Sequence, residues 1–155
     1  MFEKIDLVIL VGGYGTRIKA VSKGLPKSML KLNNHNILDY ILMNLSKYKF
    51  RNIFIIAGYK GHLIRKKYNN LEYNLTKIKV LVEKKPKGTA IALEKIKNKC
   101  SKKFILANGD TIFNIDLNNF YKKSKTIKNS IASIALCKNK QSKHNNIPNH
   151  LKMMC

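Results

Sequence analysis

A chain of 155 residues with a formal net charge of +23 is long enough to bury a real core and short enough to be one domain. The charge invites a nucleic-acid reading, but arginine occurs only at positions 17, 51 and 65, the lysines are scattered, and no aromatic-rich binding motif accompanies them. The joint excess of Lys, Asn and Ile is what an A/T-rich genome writes at tolerant surface positions, so nucleic acid is not expected as the primary partner and the charge is expected to steer anionic ligands. No apolar run approaches the ~20 residues of a membrane span, and a start carrying Glu3, Lys4 and Asp6 is unlike a signal peptide. Cys100, Cys137 and Cys155 are odd in number and lack metal spacing, which fits reduced thiols in a cytoplasmic protein.

In chain order, the apolar run Ile5 to Val11 predicts a buried strand entering the glycine cluster Gly12-Gly13-Tyr14-Gly15. Ile37 to Leu45 has helical spacing, with Asn36 as N-cap. Asn52 to Ala57 is a β-branched run, a second buried strand ending at Gly58. Gly61 to Tyr68 predicts a short helix, Ile78 to Val82 a third strand, and Thr89 to Cys100 a helix. Phe104 to Ala107 is a fourth strand ending at Asn108-Gly109-Asp110. A short helix follows from Leu117, with Asp116 as its N-cap, and Ser130 to Cys137 predicts a last strand. From Lys138 the chain is polar, basic and without periodicity, the composition of a disordered tail. The domain organisation is therefore 1–137, an α/β domain, and 138–155, a tail.

Strands alternating with helices argue for a mostly parallel sheet covered on both faces, a three-layer Rossmann-like α/β fold. In such sheets ligands sit beyond the carboxyl ends of the strands. Those ends carry Gly12 to Arg17, Gly58 to Lys60, Glu83 to Thr89 and Asn108 to Asp110, so the unusual residues are expected on one rim.

The glycine cluster lets backbone N–H groups approach a ligand without a Cβ in the way. With Arg17 and Lys27 nearby it makes a site for an oligophosphate. It is not a P-loop, since no Gly-Lys-Ser/Thr follows. It is not a dinucleotide fingerprint either, since Ile18 stands where the third glycine belongs. Gly12-Gly13-Tyr14-Gly15-Thr16-Arg17 followed by Pro26-Lys27-Ser28-Met29-Leu30 resembles the opening of the sugar-1-phosphate nucleotidyltransferases, GGxGTRL and then PKPM. The departures are Ile18 for Leu and Ser28 for the second Pro.

The resemblance implies the nucleotide-diphospho-sugar transferase fold and a reaction in which a sugar 1-phosphate attacks the α-phosphorus of a nucleoside triphosphate, releasing pyrophosphate. It implies that Gly12, Gly13, Gly15 and Thr16 contact the nucleotide. Arg17 then binds the leaving β- and γ-phosphates, and Lys27 the α-phosphate and incoming sugar phosphate. Asp110, one of only eight acidic residues, matches the family's N-G-D metal site and implies a Mg²⁺ ligand, with Asn108 beside the nucleotide. Glu83-Lys84-Lys85-Pro86-Lys87-Gly88-Thr89 is similar to the family's E-x-x-P-L-G-T segment, which implies Gly88 close to the base and Glu83 near the sugar. Gly58-Tyr59-Lys60 and Asn108 to Thr111 look most like heptose- or mannose-1-phosphate guanylyltransferases of surface-polysaccharide synthesis, which favours GTP.

The resemblance covers about residues 5 to 137, and members continue further. The sheet is therefore expected to be incomplete at its C-terminal side, with an apolar edge at Ser130 to Cys137 available for self-association. Three function readings stay open: a working transferase, a catalytically inactive nucleotide-binding remnant, and a basic nucleic-acid-binding domain.

Overall fold

Short, largely aliphatic runs form strands where sheet neighbours and covering helices can bury them, and four such runs build the sheet of this protein. The computed structural model describes residues 2–13, 22, 24–84 and 88–136. β1 (Asp6–Val11) leads, by way of a 3₁₀ turn (Lys27–Met29), to a small hairpin of β2 (Lys31–Leu32) and β3 (His35–Asn36). Then come α1 (Ile37–Leu45), β4 (Ile53–Ala57), α2 (Gly61–Tyr68), β5 (Glu72–Tyr73), β6 (Thr76–Val82), α3 (Thr89–Glu94), β7 (Phe104–Asn108) and α4 (Leu117–Thr126). The strand order is β5-β6-β4-β1-β7. β6, β4, β1 and β7 run parallel, and β5 is an antiparallel edge piece.

The chain forms two compact units, the first ending at Phe113. That first unit holds the sheet. The second, from Asn114, holds α4, whose N-cap Asp116 accepts hydrogen bonds from the backbone N–H groups of Asn118 and Asn119, as the sequence predicts. Among the described residues no helix is long and apolar enough to cross a membrane.

Register fixes the two faces. Leu7 lies opposite Ile53 and Ile105, and Ile9 opposite Ile55 and Ala107. This face is covered by α1 and α2. Gly61 opens α2 hard against it: a Cβ there would stand 2.9 Å from Val82 Cγ1 and 3.1 Å from Ala57 Cβ, so only glycine lets the helix start so close. The two helices are tied by Asp39, which accepts from Tyr68 Oη at 2.7 Å, Lys67 Nζ at 2.9 Å and the backbone N–H of Asn36 at 2.8 Å. Burial pushes the Asp39 carboxyl up, but these donors outweigh it and hold it below its ordinary value. The opposite face carries Val8, Phe54 and Ile56, packed against Ala92 of α3 and Ile96 just after it. Helices on both faces of a mostly parallel sheet give the expected three layers.

Four expectations are corrected. The helix from Thr89 ends at Glu94 rather than Cys100; the turns that follow still bury Ile96. The third strand begins at Thr76 rather than Ile78, paired with β5 in a hairpin that its polar residues do not announce. Residues 130–136 are not a strand. Ile131 and Ile134 stand exposed there, because β-branched residues form strands only where a neighbour can pair with them. The apolar edge is therefore β7, with Phe104 and Leu106 exposed, and not Ser130 to Cys137. Cys137 and the tail 138–155 lie outside the described residues.

At the amino end of β1, Asp6 is fully buried. It accepts from Arg51 Nε at 2.8 Å, Arg51 Nη2 at 2.5 Å, Asn52 Nδ2 at 3.0 Å and the Ser101 backbone N–H at 2.6 Å. Burial alone would raise its pKa; the donors reverse that and hold the carboxyl at about 2 against an ordinary 3.8. A depressed native pKa stabilises the fold above the unfolded value and loses that contribution as pH falls through the native one. The stability gap between wild type and Asp6→Asn is expected to narrow by about 2 kcal/mol from pH 5 to pH 2, read by urea unfolding. A gap that does not change with pH would remove this assignment.

Candidate functional site

The carboxyl ends of β1, β4, β6 and β7 open onto a single cleft of about 480 Å³. Backbone hydrogen bonds pin the loops leaving these strands to their neighbours. Gly58 N–H donates to Val11 O at 3.1 Å, Glu83 N–H to Ala57 O at 2.8 Å, and Gly109 N–H to Leu10 O at 2.8 Å. The rim is thus an extension of the sheet and inherits its rigidity.

Of the residues singled out in the sequence, Gly12, Gly13, Lys27, Glu83, Gly88, Asn108 and Asp110 all line this cleft. Gly15, Thr16 and Arg17 lie outside the described residues. Gly13 has open space where a Cβ would project, so its backbone is accessible from the cleft. Gly88 has φ +99°, a left-handed conformation that glycine alone adopts cheaply, and it delivers the chain into α3.

Lys27 stands on the 3₁₀ turn capped by Pro26. Its Nζ lies 3.4 Å from Asp110 Oδ2, both side chains being about half exposed. Asp110 Oδ1 accepts from Thr111 Oγ1 at 3.1 Å. Cation and carboxylate therefore meet across the mouth of the cleft, from segments 83 residues apart.

Glu83 is buried, with its Oε2 3.8 Å from where a Cβ on Gly12 would lie. Its Oε1 lies 3.5 Å from Lys95 Nζ. That contact is ionic without hydrogen-bond geometry, and Oε1 has no hydrogen-bond partner.

Sequence reasoning missed the apolar wall formed by Leu10, Ile56 and Ala92, and missed Ser28. The wall carried no signal, because its residues read as core. Ser28 did carry one, as the polar residue where the motif otherwise has proline.

Among the described residues no group of three or more His, Cys, Asp and Glu side chains is arranged to hold a metal by itself. Two carboxylates, Glu83 and Asp110, line this phosphate-sized cleft, and Mg²⁺ takes one or two carboxylates and completes its shell with water and substrate phosphates. The residues present fit such an ion, which Asp110 would hold.

The Nucleotidyl transferase family model matches residues 7–146, across the strands that build this cleft. The chain belongs to that family. It is 36% identical over 113 residues to the D-glycero-α-D-manno-heptose 1-phosphate guanylyltransferase of Campylobacter jejuni, covering 73% of this chain and 51% of that protein. With the enzyme of the same name from Aneurinibacillus thermoaerophilus it shares 32% identity over 125 residues, 80% of this chain and 54% of the other. The crystal structure of HddC from Yersinia pseudotuberculosis complexed with GMP-PN superposes with a TM-score of 0.67 at 33% identity, covering 77% of this chain and 54% of that one. The chain thus spans about half the length of these family members.

Proposed function

We propose that this chain carries the nucleotide half of a sugar-1-phosphate nucleotidyltransferase. The reaction would move GMP from GTP to a heptose or mannose 1-phosphate, in the cytoplasm, to supply surface-polysaccharide synthesis. The observation that carries the reading is that seven residues from four separated segments, each named from sequence alone, line one cleft at the carboxyl edge of the sheet. The guanylyltransferase relatives favour GTP. In this reading residues 1–137 form the nucleotide-binding domain and 138–155 a tail.

A phosphate oxygen of the sugar phosphate attacks the α-phosphorus, the bond from the α-phosphorus to the oxygen it shares with the β-phosphorus breaks, and pyrophosphate leaves with that oxygen. The nucleophile is already an anion, so no general base is needed. The protein supplies position and charge neutralisation. Backbone N–H groups of Gly12 and Gly13 face phosphate oxygens, Lys27 draws the α-phosphate and the incoming phosphate together, and Arg17 holds the β- and γ-phosphates. Asp110 would hold a Mg²⁺ ion, which when bound would supply further neutralisation of phosphate charge.

A second reading is nucleotide binding without turnover. Pyrophosphate release, measured with a panel of triphosphates against mannose-, glucose- and heptose-1-phosphates, separates the two. Turnover identifies a working transferase; triphosphate binding without release identifies the remnant.

Arg17→Ala is expected to weaken GTP binding by about tenfold or more, the scale of a charge-assisted contact. Lys60→Ala, at an exposed position, should change it by less than about twofold. Equal losses in a binding titration would sink the phosphate-loop assignment.

A further inference from the structure

The segment that leaves β1 meets the cleft twice, through Gly12 and Gly13 at its start and through Pro26 and Lys27 where it returns. A long connection keeps two such points in place only where something outside it fastens them, since closing it costs entropy. The turn between β4 and α2, Gly58 to Lys60, reaches both. Gly58 N–H donates to Val11 O at 3.1 Å, directly before Gly12. Tyr59 Oη donates to Gly24 O at 3.5 Å, two residues before Pro26. One turn thus touches the segment where it leaves the sheet and where it comes back to the cleft.

The turn is itself fixed. Gly58 and Gly61 are buried, Gly61 N–H donates to Gly58 O at 2.9 Å, and Leu63 N–H donates to Lys60 O at 2.9 Å. Lys60 holds a left-handed backbone, φ +48° and ψ +34°, which a residue with a side chain adopts rarely and at a cost. Such a conformation persists only where the surrounding structure imposes it. Here it takes the chain from β4 into α2 and leaves Tyr59 half-buried between them. Tyr59 is not one of the residues that line the cleft, so its hydroxyl acts on the segment and not on a ligand.

We propose that Tyr59 is a positioning residue for phosphate binding, its hydroxyl setting through Gly24 where Lys27 stands relative to Gly12 and Gly13; this rests on the nucleotide reading of the cleft. Two tight turns follow one another at Gly24, Leu25 N–H donating to Ser22 O at 2.8 Å and Met29 N–H to Pro26 O at 2.8 Å. A displacement of Gly24 is therefore carried on to Lys27. At 3.5 Å the Tyr59 bond is long for a hydroxyl donor, and bonds around a reacting centre often close up only when the ligand is present. A phosphate shared by Lys27 and the Gly12 and Gly13 backbone draws the two ends of the segment together and shortens that bond. The hydroxyl in turn favours the phosphate-bound arrangement, because the coupling is reciprocal.

The test compares Tyr59→Phe, which keeps the ring and deletes the hydroxyl, with wild type and with Lys60→Ala from the same turn, all as the full chain. Inorganic tripolyphosphate and GTP are expected to bind Tyr59→Phe about threefold to tenfold more weakly, the scale of one hydrogen bond. Lys60→Ala should stay within about twofold of wild type. Hydrogen exchange reads the tie without any ligand. The Leu25 amide, bonded to Ser22 O, should exchange about threefold faster or more in Tyr59→Phe, and the Gly58 amide, bonded to Val11 O, at the wild-type rate. Tyr59→Phe binding both probes within about twofold of wild type would overturn the proposal and leave the nucleotide reading standing. So would weaker binding accompanied by faster exchange throughout β1 and β4, the mark of a loosened fold. A folded wild-type chain that binds neither probe would overturn the nucleotide reading and this proposal with it.

Discussion

Asp110→Ala is expected to lower Mg²⁺-dependent pyrophosphate release by on the order of a thousandfold, to the limit of detection in a coupled assay. The size follows from the donor set. The other carboxylate lining the cleft, Glu83, is buried with its Oε1 3.5 Å from Lys95 Nζ, so it is not expected to replace the lost ligand. The same substitution frees Lys27 Nζ, now 3.4 Å from the carboxylate, and removes a negative charge from beside the phosphates. Metal-free GTP should therefore bind the variant at least as tightly as wild type. Loss of the Mg²⁺ effect with retention of metal-free binding separates a metal ligand from a damaged fold. If the chain binds without turning over, the same readout survives in the Mg²⁺ dependence of GTP affinity. Turnover, or the Mg²⁺ effect, preserved within tenfold would end the assignment.

Gly109→Val is expected to destabilise the fold by about 3 kcal/mol, seen as an earlier urea midpoint at unchanged slope. A Cβ at this position would sit 2.6 Å from Val11 Cγ2, 3.0 Å from Ile9 Cγ2 and 3.1 Å from the Leu10 carbonyl oxygen. Val11 and Ile9 are buried in β1, and a β-branched side chain there has no rotamer to escape into. The strain falls one residue before Asp110, so nucleotide affinity should drop together with stability. A variant as stable as wild type would show that the turn has room the geometry denies. Glycine is needed here for close approach and not for a left-handed backbone.

These two residues show what could be read from the chain and what could not. Short, largely aliphatic runs announced four strands, and parallel sheets collect function at one edge. Gly12, Glu83, Asn108 and Asp110 could therefore be placed on a common rim before any coordinates. Asn36 and Asp116 were legible as caps because their chemistry is local. The short hairpins were not. β5 turns into β6 through Asn74 and Leu75 at φ +46° and +61°, and nothing about a leucine predicts a left-handed conformation. The expected strand at Ser130 to Cys137 failed for the opposite reason, since its residues have strand propensity and no described partner to pair with. The apolar wall of Leu10, Ile56 and Ala92 was invisible because a side chain facing a cleft and one facing the core obey the same pattern.

The ion pair of Lys27 and Asp110 sets a rule for what the cleft accepts. As half-exposed charges they contribute little to stability, yet each neutralises the other. A phosphate that claims the ammonium releases the carboxylate, which then faces oxygens of its own sign unless a cation arrives with the phosphate. Anion and cation are thereby linked: each raises the affinity for the other by the same factor. The mouth of the cleft admits charge in balanced pairs, and a bare anion enters it at a disadvantage.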